Sequence, residues 1–316
     1  MATKLPQERK RRYDVSSSPL YSIGSKRRLA EVIGWTGPPS QLGAFSRQGA
    51  NYNRYYDRKK PEKPRLVEAP KPALKKFQKR IEELLKRVQM PDYLHSAVPG
   101  RSYLSNSDTH RRTSGCTVTL DVSEFFQSVT HARVTRLFIV DFRCSRDVAE
   151  ILASLLCCDG HLATGSPASP IVSFLAFKDI FDTIRDRAIA RGSVFTLYID
   201  DIAVTGNGVG HTDIKWIKKI LSSSQLRVND RKTRLFPSTS AKVVTGRAFR
   251  NGESRAPNTQ HRKLREAMKL LKLTPGDKSL TGSVVGRLRH LALLDTANAS
   301  ALRSAALALT ALLKTK

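Results

Sequence analysis

Phe195-Thr196-Leu197-Tyr198-Ile199-Asp200-Asp201-Ile202-Ala203-Val204-Thr205 sets runs of β-branched and aromatic residues on either side of two adjacent carboxylates. This pattern predicts a strand, a tight turn and a second strand, with the acids at the bend. Aspartates at a hairpin tip often just accept backbone hydrogen bonds. Two like charges inside an apolar run also repel each other, and a divalent cation over them removes that cost. A second stretch favours the cation. Thr117-Val118-Thr119-Leu120-Asp121-Val122 alternates with period two, so Val118, Leu120 and Val122 share one face and Asp121 lies with threonines on the other. A lone carboxylate on one strand and a pair on a hairpin can converge to hold two cations, as nucleotidyl transfer requires.

Around these acids the sequence resembles the reverse transcriptases. Tyr198-Ile199-Asp200-Asp201 is similar to their Tyr-X-Asp-Asp box, and Leu120-Asp121-Val122-Ser123-Glu124-Phe125-Phe126 to their first catalytic box. Gly165-Ser166-Pro167-Ala168-Ser169-Pro170 resembles the template-and-nucleotide loop, Val228-Asn229-Asp230-Arg231-Lys232-Thr233 the lysine box, and Val243-Val244-Thr245-Gly246 the start of the primer grip. Val-Thr-Gly together with Asn106-Ser107-Asp108-Thr109-His110 is most similar to bacterial retron enzymes, which usually have Ala after the Asn. The boxes occur in order over roughly residues 50 to 250.

The resemblance implies an α+β right-hand polymerase with fingers, an antiparallel-sheet palm backed by helices, and a helical thumb. Residues 1–50 are then a basic N-terminal extension, 51–250 fingers and palm, and 251–316 the thumb. It also implies two Mg²⁺ ions held by Asp121, Val122, Asp200 and Asp201, with catalysis by the three aspartates and Lys232. Adjacent strand residues point apart, so Asp200 is preferred over Asp201 for bridging the ions. Lys232 either protonates leaving pyrophosphate or holds its charge. Arg65, Phe126 and Gly165 are implied nucleotide contacts, Phe126 as a gate against a ribose 2′-hydroxyl, with Lys59 or Lys60 assisting at the triphosphate. Thr164 replaces the family's usual Gln. Asn106, His110, Val244, Thr245 and Gly246 are the implied RNA-reading set. The partners would be a structured noncoding RNA, its DNA product, deoxynucleoside triphosphates and an effector in antiphage defence.

Composition agrees with a nucleic-acid partner. The 316 residues carry 55 Lys and Arg against 27 Asp and Glu, a net charge of +28 that a polyanion would neutralise. No amphipathic basic helix stands out, and no apolar run reaches membrane-spanning length, so no membrane partner is expected. Cys116, Cys144, Cys157 and Cys158 show neither Cys-x-x-Cys spacing nor disulfide density, as in a reduced, cytoplasmic protein. Met1 to Tyr13 lacks the apolar core of a secretory signal.

Apolar spacing predicts helices over Ser25–Trp35, Ala73–Val88, Thr130–Val140, from Ser145 towards Gly160, Pro170–Ala190 with Ser169 as its cap, and Thr212–Leu221. A strand is expected at Leu226–Val228, and further helices around Leu264–Leu273, Val284–Leu294 and Leu302–Leu313. Tyr52, Tyr55 and Tyr56 interleave with Arg54 and Arg58, a mix suited to bases and phosphates or to a hairpin core. Gly165, just before a helix, leaves room for a base or sugar against the backbone. Two other functions fit less well. Another bacterial reverse transcriptase, of abortive-infection or intron type, is one; intron enzymes add a maturase region, for which ~60 residues leave little room. A catalytically silent RNA-binding protein is the other, and it has no use for three convergent acids.

Overall fold

The computed structural model describes residues 12–58 and 64–314. The strands are β1 (Tyr52–Asp57), β2 (Arg65–Pro70), β3 (Cys116–Ser123), β4 (Cys157–Cys158), β5 (His161–Leu162), β6 (Val194–Tyr198), β7 (Asp201–Gly206), β8 (Arg227–Val228), β9 (Arg234–Phe236), β10 (Lys242–Val244), β11 (Arg247–Arg250) and β12 (Glu253–Arg255). All their ladders are antiparallel. With the helices between them they make an α+β fold of two compact units. The first takes the described residues up to Gly100, with Val122–Thr183 and Lys219–Val228; the second takes Arg101–Asp121, Ile184–Lys218 and the described residues from Asn229 onward.

In the first unit, β1 and β2 form a hairpin with Tyr52 opposite Pro70 and Asp57 opposite Arg65. The first residue of β1, Tyr52, lies in the core, while Tyr55 and Tyr56 further along are 54% and 59% exposed. The helix Pro72–Leu85 buries Leu74, Phe77, Ile81, Leu84 and Leu85, the stripe its 3.6-residue period demands. Residues 12–50, expected as a basic extension, contribute Leu20, Ile23, Leu29, Ile33 and Leu42 to the buried core. The helix expected over Ser25–Trp35 is Lys26–Ile33, and it buries Leu29, Ala30, Val32 and Ile33.

Thr130 caps the helix His131–Val140 through its side chain, as its position before the apolar run predicts. The long helix expected over Pro170–Ala190 is two, Ser169–Ala176 and Lys178–Ala190, broken at Phe177. Ser169 is not the cap either. It occupies the first helical position, where its hydroxyl donates to the Ala163 carbonyl, and Ala168 is the residue before the helix.

In the second unit, β3 lies beside β7, and β7 beside β6. The register sets Thr117 opposite Thr205, Thr119 opposite Ala203 and Asp121 opposite Asp201. One face of this sheet therefore carries the threonines and the acids, while Val118, Leu120, Ile202, Val204 and Leu197 fill the other. The helix Tyr103–Arg111 contacts β6, β10 and β11. Three C-terminal helices, Asn258–Leu273, Lys278–Leu294 and Ala299–Lys314, close a core of Leu264, Val284, Leu288, Leu291 and Ala306 against Tyr103 and Leu104. Among the described residues no helix is long and apolar enough to cross a membrane.

Candidate active site

The acids meet because of register. Asp121 closes the β3–β7 ladder opposite Asp201, and the two-residue turn Ile199–Asp200 joins β6 to β7. The residue directly across from Asp121 is thus Asp201, whereas Asp200 sits in the turn itself. Ile199 adopts φ 57°, a left-handed conformation that crowds a β-branched side chain. Strain of this kind persists where the surrounding structure holds the backbone, and it is common at active sites.

Burial and like charge dominate the electrostatics. Asp121 is buried, and Asp200 and Asp201 are half-buried. Desolvation, reinforced by the charges of Asp200 and Asp121, pushes the Asp201 carboxyl up to about 7, and only Lys232 acts against this. Lys232 extends its ammonium from the loop after β8 to Asp121 Oδ1 at 2.5 Å, with its own side chain 60% exposed. That loop is tied to the strand where the Asn229 amide donates to the Asp121 carbonyl at 2.8 Å.

Carboxylates only accept hydrogen bonds. Three of them, one with its ionisation resisted, beside one lysine form a donor set short of positive charge, which suits a hard dication with oxygen ligands. Asp121, Asp200 and Asp201 are the residues that would hold it. The Val122 side chain is buried on the opposite face of β3, so only its main chain can join them.

The other expected site residues lie as follows. Arg65 is exposed at the start of β2, and Lys59 and Lys60 lie outside the described residues. Phe125 is core, while Phe126 beside it, in the helical turn Phe125–Ser128, keeps a half-exposed ring. The room expected over Gly165 is filled: a Cβ there would come within 2.6 Å of the Glu68 carbonyl oxygen, so the glycine admits strand β2 rather than a base or sugar. Thr164 has the same employment. Its hydroxyl accepts from the Glu68 amide at 3.0 Å and donates to the Leu66 carbonyl at 3.2 Å.

The RNA-reading set requires a larger correction. His110 is fully buried, its Nδ1 2.8 Å from the Thr205 hydroxyl and its Nε2 2.7 Å from that of Thr196. Thr205 is also 2.8 Å from the Thr117 hydroxyl. Asn106 is fully buried as well, and its amide donates to the Thr245 hydroxyl at 3.3 Å. That hydroxyl in turn donates to the Tyr103 carbonyl at 2.9 Å. Asn106, His110 and Val244 therefore offer RNA no surface; they brace the sheet and the turn between β10 and β11. Thr245 and Gly246 form that turn with φ 42° and 78°, Thr245 half-buried and Gly246 exposed. A threonine rarely takes a left-handed conformation, and Asn106 and Tyr103 secure it there. Two boxes far apart in sequence are thus one contact in space.

Sequence reasoning missed Glu68, fully buried, and the pairing of Cys158 with His161 across the hairpin β4–β5. The Asp-Gly dipeptide between these two residues was the available signal.

A family profile described as reverse transcriptase (RNA-dependent DNA polymerase) matches residues 57–246. The chain is 27% identical over 215 residues to the retron Se72 reverse transcriptase of Salmonella heidelberg (strain 579083-10), covering 65% of this chain and 56% of that protein. It is 24% identical over 239 residues to the retron Ec48 reverse transcriptase of Escherichia coli, with 71% and 58% covered. The retron Mx65 reverse transcriptase of Myxococcus xanthus is 30% identical over 207 residues, with 58% and 47% covered. The matched stretch spans about half the length of these relatives. The profile takes in more than half of this chain, which therefore belongs to the reverse transcriptase family and resembles its bacterial retron type.

Proposed function

We propose that this protein is an RNA-directed DNA polymerase of the retron type, copying a structured noncoding RNA from deoxynucleoside triphosphates and leaving the DNA joined to that RNA. The observation that carries the reading is the cross-strand pair of Asp121 and Asp201 beside Asp200, an acid cluster on a chain of net charge +28. Such charge placement suits phosphoryl chemistry on a polyanion. In this reading β3, β6 and β7 are the palm, the β1–β2 hairpin belongs to the fingers, and the helices from Asn258 onward are the thumb.

Asp121, Asp200 and Asp201 would hold two Mg²⁺ ions, with the main chain of Val122 as a further donor. When bound, these ions activate the primer 3′ or 2′ hydroxyl and neutralise the triphosphate. Lys232, already at Asp121, balances the negative charge of the cluster and is placed to give a proton to departing pyrophosphate. Arg65, exposed on β2, binds the triphosphate, and the half-exposed ring of Phe126 excludes a ribose 2′-hydroxyl. The exposed turn at Thr245 and Gly246 meets nucleic acid, held in shape by Asn106. The cytoplasmic setting rests on the cysteine usage, and the effector and the role in phage defence on the resemblance to retron enzymes.

Primer extension with Mg²⁺ on an RNA template tests the activity, and the cognate RNA tests the type. A DNA product bearing a 2′–5′ linkage, resistant to ribonuclease and released by a debranching enzyme, is expected. Extension yielding only 3′–5′ linked DNA would leave a reverse transcriptase and remove the retron assignment; no extension at all would overturn both.

A further inference from the structure

The first unit contains a second set of metal-ligating side chains, unrelated to the aspartates above. Strands β4 and β5 are joined by Asp159–Gly160, with φ 50° and 80°, the turn for which Asp-Gly is suited. Cys158 and His161 are therefore direct cross-strand partners and project to the same side. Cys157 points the other way into the core, where burial pushes its thiol up to about 12. Glu68 enters from β2, fully buried. Ligand atoms of Glu68, Cys158 and Asp159 all lie within 4.8 Å of one another. His161 Nε2 is 3.1 Å from Glu68 Oε1 and 3.2 Å from Oε2.

The hydrogen bonds of His161 fix the orientation of its ring. Its Nδ1 is 3.2 Å from the Asp159 carbonyl oxygen, which can only accept, so Nδ1 carries the proton. The other ring nitrogen, Nε2, is the one that faces the Glu68 carboxylate. Glu68 Oε2 accepts the Thr164 amide at 3.2 Å, while Oε1 makes no hydrogen bond of good geometry and has the His161 nitrogen beside it at 3.1 Å. A fully buried carboxylate with an unbonded oxygen is costly. Arg54 serves only the outer pair, reaching Cys158 Sγ at 3.2 Å and Asp159 Oδ1 at 2.6 Å from a largely exposed position. No arginine or lysine is paired with Glu68 among the described residues.

We propose that Cys158, His161, Glu68 and Asp159 bind a dication of the zinc class that clips strand β2 to the β4–β5 hairpin. The thiolate and two carboxylates converge, and the imidazole nitrogen beside Glu68 would swing in as the fourth donor, a set of borderline softness that favours zinc over magnesium. On binding, the Cys158 thiol releases its proton to solvent, and Arg54 leaves Sγ and Asp159 Oδ1 and turns outward. No electron is transferred. The Asp159 carbonyl on Nδ1 is the outer partner that fixes the histidine tautomer for metal. The clip would steady Thr164, whose amide and hydroxyl are both tied to β2 immediately before Gly165.

The test uses the full chain purified without a metal-affinity tag. About one equivalent of zinc per chain is expected, and stripping it with chelator should lower the melting temperature. Cobalt added to the stripped protein should give a thiolate-to-metal charge-transfer band. Cys158→Ser should lose the band, while Arg54→Ala should keep it, because the guanidinium leaves the site. Stripped wild-type protein that takes up no stoichiometric cobalt, or takes it up without the thiolate band, overturns the proposal. So does loss of the band in Arg54→Ala with the fold intact, which would make Arg54 the resident cation. Should Cys158→Ser fail to fold, the wild-type cobalt spectrum decides alone.

Discussion

Along one face of β3, Asp121 and Thr117 stand four residues apart, about 13 Å at the usual strand rise, and across from them on β7 stand Asp201 and Thr205. At the threonine end, every group both donates and accepts. The imidazole of His110 and the hydroxyls of Thr117, Thr196 and Thr205 hydrogen-bond one another, and all four residues are fully buried. At the aspartate end the ionised groups only accept and repel one another, and among the described residues Lys232 is a cation that counters them. The same strands thus carry one end that closes on itself and one where like charges gather. Stability and chemistry occupy adjacent segments of one sheet.

The largest expected effect lies at the open end. Asp200→Asn keeps the shape of the turn and removes a metal-binding charge, so DNA synthesis should fall about a thousandfold or more, on the order of 4 kcal/mol in barrier. RNA affinity and the melting temperature should stay near wild type. Extension at a normal rate would remove the acids from the chemistry.

At the closed end, His110→Ala deletes a fully buried ring and strands two hydroxyls, at a cost of about 3 kcal/mol in denaturant unfolding. Synthesis should fall equally on the cognate RNA and on a generic primed template, as a bracing role requires. A loss confined to the cognate RNA would make His110 an RNA contact after all, and would break the contrast between the two ends.

The contrast also explains what was legible in the sequence. Period-two alternation placed Asp121 with threonines and away from Val118 and Leu120, and the β3–β7 register has that arrangement. The hairpin at Asp200, the C-terminal helices and the Thr130 cap were equally local signals. What sequence could not supply was the partner across space. Asn106 and His110 were implied as RNA-reading residues, with spacing alone making them ordinary loop residues, yet their helix lies on β6 and buries both. Gly165 read as room for ligand, because nothing local reveals that β2 occupies it. Residues 170–190 read as one helix, since periodicity continues in phase through the break at Phe177.

A pH experiment sharpens the open end. The folded Asp201 carboxyl titrates near 7, above the ordinary carboxylate value of 3.8. The raised value means that the folded state holds its proton more tightly than the unfolded chain. The associated stability is present in full below about pH 4 and is lost as pH rises through 7. Metal-free Asp201→Asn has no such loss. Its melting temperature, measured with chelator, should exceed wild type by a few degrees at pH 8, and the gap should narrow towards pH 5. A constant gap across that range would mean that the acids are not coupled as their positions indicate. Added Mg²⁺ should raise the wild-type melting temperature and leave the variant less affected.

The smallest effect tests whether bracing extends beyond His110. Asn106 donates to the Thr245 hydroxyl, which donates onward to the Tyr103 carbonyl, and this chain holds a threonine at φ 42°. Asn106→Ala and Thr245→Ala each remove the same link, so their effects should not add. A double-mutant cycle on unfolding free energy should give a coupling of about 0.5–1 kcal/mol. Thr245→Gly separates the two contributions at this position. It loses the hydroxyl but accepts the left-handed backbone without strain, so it should be less destabilising than Thr245→Ala by about 1 kcal/mol. If the turn also touches nucleic acid through its main chain, Thr245→Gly should keep synthesis on the cognate RNA closer to wild type than Thr245→Ala does. Additive single effects would mean that Asn106 and Thr245 act independently, and the two sequence boxes would have to be explained separately.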